Sequence, residues 1–373
     1  MPQVHDIDLS GVYPEEVMHS LGAASAYAPH APMDGSAPDL ESSIRAMSVV
    51  SEHCLSTGFC VWCQDALGWY IANSENETLK TTLRPKLLTG ETLGGTGLST
   101  PMKSLFGIEK LRFKGERVDG GYVVTGILPW VSNLGDDHYF GVIFSLSDGR
   151  MVMAVADCAT DGLKIVVNDE FVALDGTRTF AEQFRKAFIP DEAILAAPID
   201  DYIPRIRAGF ILLQAGMAFG LIRNCIDLMD QAGQSLSHVN RHLPDQPDDF
   251  LEQLAGFERE AFELCQTPYD LSKKYFVRVI EARLAAGEAT VAAAHNTMLH
   301  CGARGYVTRH GAAASARGLF RCHRDAHHQA VAKDARRSRR GVSVSGGDEE
   351  RRQTTSPGSA APPEGPDVER TAS

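Results

Sequence analysis

Near the end of the 373-residue chain, Cys322, His323, His327 and His328 fall within seven positions, and these are residue types that ligate zinc or copper. They stand in the run RGLFRCHRDAHHQAVAKDARRSRRG, where eight Lys or Arg surround two Asp, so a nucleic-acid tail is the competing chemistry. Cys60 and Cys63 form a CxxC, the spacing of a redox pair or of half a zinc site. No second CxxC lies nearby and the surroundings are apolar with helical period, which favours buried structural thiols. His238 and His242 are one helical turn apart and could share a metal, but their polar, Pro-broken segment beside Arg241 reads better as a surface turn. Glu258, Glu260 and Glu263 lack a histidine at ligand spacing and read as a solvated helix face. The stretch GETLGGTG lacks the Lys-Ser/Thr of a phosphate loop and reads as a loop entering a β region.

Composition narrows the choices. The chain is 43% hydrophobic and 23% charged, with a formal charge of −12, which argues against nucleic acid or an anionic membrane as partner of the whole molecule. The acidic start MPQVHDIDLSGVYPEE has neither the basic nor the apolar region of a secretory signal, and eight unevenly spaced cysteines read as reduced thiols. A cytoplasmic protein is expected.

The elements that must position any site follow from periodicity. Apolar residues recur at three- and four-residue spacing up to about Glu91, with Asp39 and Glu41 suited to a helix start. Between Thr92 and about Pro190, β-branched and aromatic clusters alternate with Gly, Asp and Asn turns. From Tyr202 the helical period returns in long segments that suit a bundle. The expected fold class is α+β: a helical region over 1–91, a β-barrel or sandwich over 92–200, a helical bundle over 201–330 and a disordered, Gly/Ser/Pro-rich tail over 331–373.

Three segments in this order, GLSTP, DGGYVVTG and PWVSN, resemble the middle-domain motifs of the acyl-CoA dehydrogenase family of flavoproteins. VNRH at Val239 to His242 and HCGARGY at His300 to Tyr306 are similar to that family's bundle turn and its GGxGY loop, and the resemblance runs from about Gly11 to Arg317. It implies FAD as cofactor, an acyl-CoA or related acyl thioester as substrate, a flavin reductase or electron-transfer partner, and a homodimer or homotetramer. A flavin ring needs a flat apolar wall and hydrogen bonds to its polar edge. The resemblance gives the wall to Trp130 and hydrogen bonds to Leu98, Ser99, Thr100, Val131 and Ser132, with Ser132 expected on the same strand face as Trp130. It gives Arg241 and the loop Gly302 to Gly305 the diphosphate and adenosine of FAD in a neighbouring subunit. Phe210, Gln214 and Met217 could line a substrate pocket, and equally could be core.

Removal of an α-proton requires a positioned carboxylate. In most of the family it follows the GGxGY loop in a YEGT-like motif, and no such motif occurs here. In a minority it lies on the first long bundle helix, and the corresponding PRIRAGFILLQAGMAFG carries no carboxylate. The catalytic residue is therefore unknown. Relatives without that glutamate include flavin monooxygenases, which keeps monooxygenase or oxidase, and a non-catalytic remnant, as alternatives to dehydrogenation.

The family continues after its glycine loop with a closing helix, where this chain turns to Arg and His. Codons for RGLFRCHRDAHHQAVAK can be chosen so that a frame offset by one nucleotide reads EAYFVAIVTPITKQLRK, an apolar helix. A slipped reading frame is the favoured account of the tail, over a metal or nucleic-acid segment or a natural extension. Losing such a helix forfeits about 1.5–3 kcal/mol for each apolar side chain that would have been buried.

Overall fold

The computed structural model describes residues 3–105, 107–167, 171 and 173–307. The Cys322–His328 cluster, the basic run, the end of the expected bundle and the expected tail lie outside the described residues.

Helices come first: α1 (Val4–Ser10), α2 (Glu15–Ala23), α3 (Leu40–His53), α4 (Leu55–Asn73), α5 (Glu77–Thr82) and α6 (Arg84–Leu88). Asp39 caps α3 as expected, its carboxylate accepting from the Ser42 N–H at 2.9 Å. Helix α4 is apolar on all sides and is buried along almost its whole length, as a central core helix must be.

Strand β1 (Gly94–Thr96) and the short helix α7 (Ser99–Leu105) lead into β2 (Lys114–Val118), β3 (Gly121–Val131), β4 (Tyr139–Ser145), β5 (Met151–Asp157), β6 (Leu163–Val166), β7 (Phe180–Pro190) and β8 (Ile194–Ala196). They form one eight-stranded sheet in the order β6-β7-β3-β2-β4-β5-β8, with β1 added in parallel beside β4. The longest pairing, β3 with β7, is antiparallel and is interrupted between Leu128 and Val131. Phe113, Phe140, Phe144, Phe184, Val124 and Val142 fill a core of the sheet.

The chain returns to helix in α8 (Tyr202–Leu213), α9 (Ala215–Asn240), α10 (Pro247–Cys265) and α11 (Lys273–Cys301), followed by a 3-10 turn over Gly302–Tyr306 near the end of the described residues. The stretch Tyr202–Asn240 is long and apolar enough to cross a membrane, but its most apolar window is 89% buried inside the protein. It is consumed by the core, where α3, α4, α8, α9 and α11 contribute to one apolar cluster. Two contacts explain the close crossing of α3 and α9. A Cβ on Gly220 would lie 2.3 Å from the Ser48 carbonyl oxygen, and one on Gly216 would lie 2.8 Å from that of Ile44. Indole N–H groups pin α4 to α8: Trp62 donates to the Phe210 carbonyl at 3.3 Å and Trp69 to that of Ile206 at 2.9 Å.

The architecture is the expected α+β one, with helices before and after the strands among the described residues. One detail differs from expectation: the first and last helical regions share a single core. Periodicity reports that a helix face is apolar and does not report which face it meets.

Candidate functional site

The end of β3 and the segment after β1 are held together by backbone. Thr96 and Ser132 form an isolated antiparallel bridge, and the Gly97 N–H donates to the Gly141 carbonyl at 2.8 Å. Gly95 faces the Ser132 carbonyl oxygen so closely that a Cβ would lie 2.1 Å from it, so only glycine fits. This juxtaposition brings Leu98, Ser99 and Thr100 to the same corner as Val131 and Ser132. Ser99 and Thr100 open α7, and residues in the first turn of a helix have no intrahelical acceptor for their N–H groups.

Within that corner the side chains differ in what they offer. Trp130 is 50% exposed, with Phe171 edge-on at 5.9 Å between ring centroids. Val131 and Leu98 are buried, so only their backbones are on offer. Strict alternation would give Trp130 and Ser132 the same face and similar access, but Ser132 is 3% exposed and its hydroxyl lies 2.6 Å from that of Thr179. The pairing irregularity between Leu128 and Val131 breaks the alternation there. Thr179 in turn meets Thr177 at 2.8 Å, and Thr96 meets the Tyr70 hydroxyl at 2.8 Å. Asn133 adopts φ 64°, a left-handed conformation that asparagine tolerates. Its amide donates to the Gly94 carbonyl at 2.7 Å and accepts from the Tyr13 hydroxyl at 2.6 Å. Thr177, Thr179, Tyr70 and Tyr13 come from distant parts of the sequence and carry no local motif.

A second group forms at the end of the bundle. The Asn240 amide donates to the His300 carbonyl at 3.0 Å, and the His300 ring nitrogen contacts the Asp245 carbonyl at 2.9 Å. These bonds set the turn carrying Arg241 beside the turn carrying Gly302 and Gly305. Arg241 is exposed and touches only His242, at 3.3 Å. Gly302 has φ 56° with open space around it, whereas Gly305 is buried against Met298.

The other candidate constellations resolve as structure. Cys60 and Cys63 are fully buried in α4. Glu260 and Glu263 both bind Arg278, and Glu258 binds Arg223, tying α10 to its neighbours. Among the described residues no group of three His, Cys, Asp or Glu is placed to hold a metal. Phe210 packs on Trp62 at 5.2 Å, Gln214 accepts from Arg283 at 2.9 Å, and Met217 is 6% exposed.

Sequence reasoning missed two buried carboxylates. Asp65 on α4 and Glu182 on β7 are 1% and 0% exposed, with no hydrogen-bond partner on any carboxyl oxygen. Burial pushes Glu182 up to about 8 and Asp65 well above the usual carboxylate range. His30 lies 3.6 Å from Asp65, and burial drives its imidazole down to about 3. The His30 imidazole is therefore neutral at pH 7, because the nearby carboxyl does not offset its desolvation. Ser43 also approaches the same ring nitrogen of His30, at 3.3 Å, so these three residues do not form a proton relay. Neither carboxylate is accessible enough to take a proton from a substrate.

No family model matches the chain. A stretch of 152 residues is 26% identical to the mitochondrial isovaleryl-CoA dehydrogenase of Oryza sativa subsp. japonica, covering 39% of this chain and 36% of that protein. The matched stretch thus spans about a third of that relative's length. The structural likeness is far more extensive. Butyryl-CoA dehydrogenase from Megasphaera elsdenii superposes with a TM-score of 0.78 at 15% identity, over 90% of this chain and 93% of that one. The fold is that of the acyl-CoA dehydrogenases. A glutaryl-CoA dehydrogenase from Mycobacterium smegmatis, in complex with FADH2, shares this acyl-CoA dehydrogenase fold with a TM-score of 0.71 at 17% identity and 88% coverage of both chains. So does a dibenzothiophene monooxygenase from Paenibacillus sp. A11-2, with a TM-score of 0.75 at 12% identity, over 91% of this chain and 94% of that one. The acyl-CoA dehydrogenase fold therefore hosts more than one reaction, and the reaction must be argued from the site.

Proposed function

We propose that the chain is an FAD-dependent oxidoreductase that dehydrogenates an acyl-CoA or a related acyl thioester between its α and β carbons. The observation that carries the reading is the corner where the Thr96–Ser132 bridge sets Leu98, Ser99 and Thr100 beside a half-exposed Trp130. The residues present fit a flavin: an aromatic face open on one side, backbone N–H groups without helical acceptors, and a glycine that lets the two segments touch.

When bound, FAD supplies a two-electron acceptor for a hydride. Trp130 walls the flavin ring and excludes water from one face of it. Ser99 and Thr100 hold its polar edge through backbone N–H and hydroxyl groups. Ser132, steadied by Thr179 and Thr177, would offer its hydroxyl toward the ring. Arg241, Gly302 and Gly305 contribute to the diphosphate and adenosine portion of a neighbouring subunit's cofactor, which requires a homodimer or homotetramer. An electron-transfer partner would take up the electrons in this reading, whereas a flavin reductase would supply reduced flavin to a monooxygenase; the protein works in the cytoplasm.

A second reading, a flavin-dependent monooxygenase or oxidase, is favoured by one observation. Helix α8 carries no carboxylate, and the two buried carboxylates without a partner, Asp65 and Glu182, are sealed in the core. One experiment separates the readings: the visible spectrum of the protein reconstituted with FAD, recorded anaerobically before and after acyl-CoA. Dehydrogenation predicts a yellow protein that acyl-CoA bleaches. A yellow protein that ignores acyl-CoA supports the monooxygenase, and a colourless one contradicts both.

A further inference from the structure

A pocket of about 320 Å³ opens between the loop before α3, the end of α4, the start of α5 and Tyr269. Its volume is at the lower end of the range of ligand sites, but its lining is basic rather than apolar. Arg84 and Lys80 contribute two positive charges against the single carboxylate of Glu77, in a chain whose formal net charge is −12. The local excess of positive charge is thus opposite to that of the molecule.

Arg84 is the unexplained residue. Its Nε is buried and has no hydrogen-bond partner, and partial burial lowers its pKa. Glu77 is the one carboxylate that acts on it, and Glu77 is itself bound by Lys80 at 2.9 Å. The Nε N–H has lost its water without gaining a partner while the rest of the guanidinium stays accessible, and an anion in the pocket would offset that cost. The surroundings do not supply that anion. His30 forms the floor and is neutral, because burial drives its imidazole down to about 3. Asp34, in the loop before α3, is taken up by Ser36. Tyr269 stacks on Trp69 with ring centroids 5.7 Å apart, and it lies within electrostatic reach of Arg205, whose Nε is also buried without a partner.

We propose that this pocket binds the oxyanion of a small phosphorylated or carboxylated molecule, with Arg84 as the forked donor and Lys80 as the second charge after release from Glu77. Nothing in this inference depends on the flavin reading, since none of the pocket residues belongs to the Trp130 corner.

The test is a thermal melt of the full chain titrated with inorganic phosphate, with chloride holding ionic strength constant, and repeated with acetate. A phosphate site predicts a saturable rise of about 2–4 °C with phosphate and little with acetate; a carboxylate site predicts the reverse. Arg84→Gln should abolish the rise, and Lys80→Gln should weaken the apparent affinity at least about fivefold. No saturable rise with either anion overturns the proposal. An equal rise in wild type and Arg84→Gln also overturns it, because it reports a general salt effect. Should Arg84→Gln fail to fold, the Lys80→Gln titration alone decides.

Discussion

The corner at the end of β3 and the turn at the end of the bundle are both assigned to one cofactor, yet they are built differently. In the corner, Gly94, Ser132, Thr179, Thr177 and Asn133 are buried and bonded to one another, so the geometry exists before anything binds. At the bundle end, Arg241 is exposed and Gly302 is half-buried, held by its N–H to the Leu299 carbonyl but with no side-chain packing around it. The difference teaches that the corner is preorganised by this chain, whereas the bundle-end turn presents its candidate side chain, Arg241, to solvent.

The two glycines give the sharpest contrast. Gly95→Ala pushes a Cβ to 2.1 Å from a backbone oxygen, and should cost about 3 kcal/mol or more in urea unfolding. Gly302→Ala meets open space and pays only for its positive φ, about 1 kcal/mol. Equal costs would break the comparison.

Buried charge comes next. Glu182 has a folded pKa of about 8 against an ordinary value of 4.5, so the folded state holds its proton more tightly than the unfolded state. Stability from this residue is intact below pH 4.5 and is lost as pH rises towards 8. Glu182→Gln should therefore leave stability near pH 4 unchanged and raise it at pH 8 by roughly 2–4 kcal/mol. Unfolding curves at both pH values check this, and a gain that does not grow with pH contradicts it.

Smaller effects separate the hydroxyl chain from the exposed arginine. Ser132→Ala should cost about 1 kcal/mol by removing one of the contacts of the Thr179 hydroxyl. Arg241→Gln should change stability by less than about 0.5 kcal/mol. Its effect should appear instead as weaker FAD retention, measured by flavin released on gel filtration of the associated protein.

Much of this was legible in the sequence, for physical reasons. Helix and strand periods survive because one face of each element is buried, and Asp39 could be read as a cap because capping is local. The motif residues GLSTP and PWVSN could be matched in order, but their mutual contact rests on Gly95 meeting Ser132, a pairing between segments nearly forty residues apart. The exposure difference between Trp130 and Ser132 was hidden by the irregular β3–β7 pairing, which alternation alone does not foresee. Asp65 and Glu182 were invisible because a lone acidic residue in an apolar stretch gives no sign of whether it finds a partner. The tail, which looked the most chemical part of the chain, lies outside the described residues, and the candidate site stands without it.

The most direct test of the central claim is an anaerobic FAD titration of wild type and Trp130→Ala, followed by flavin absorbance and by protein melting temperature. The account predicts that wild type takes up FAD in proportion to protein. Trp130→Ala, whose ring is half exposed, should melt within a few degrees of wild type but bind FAD at least about tenfold more weakly. Equal FAD affinity in the two proteins would contradict the placement of the flavin at Trp130.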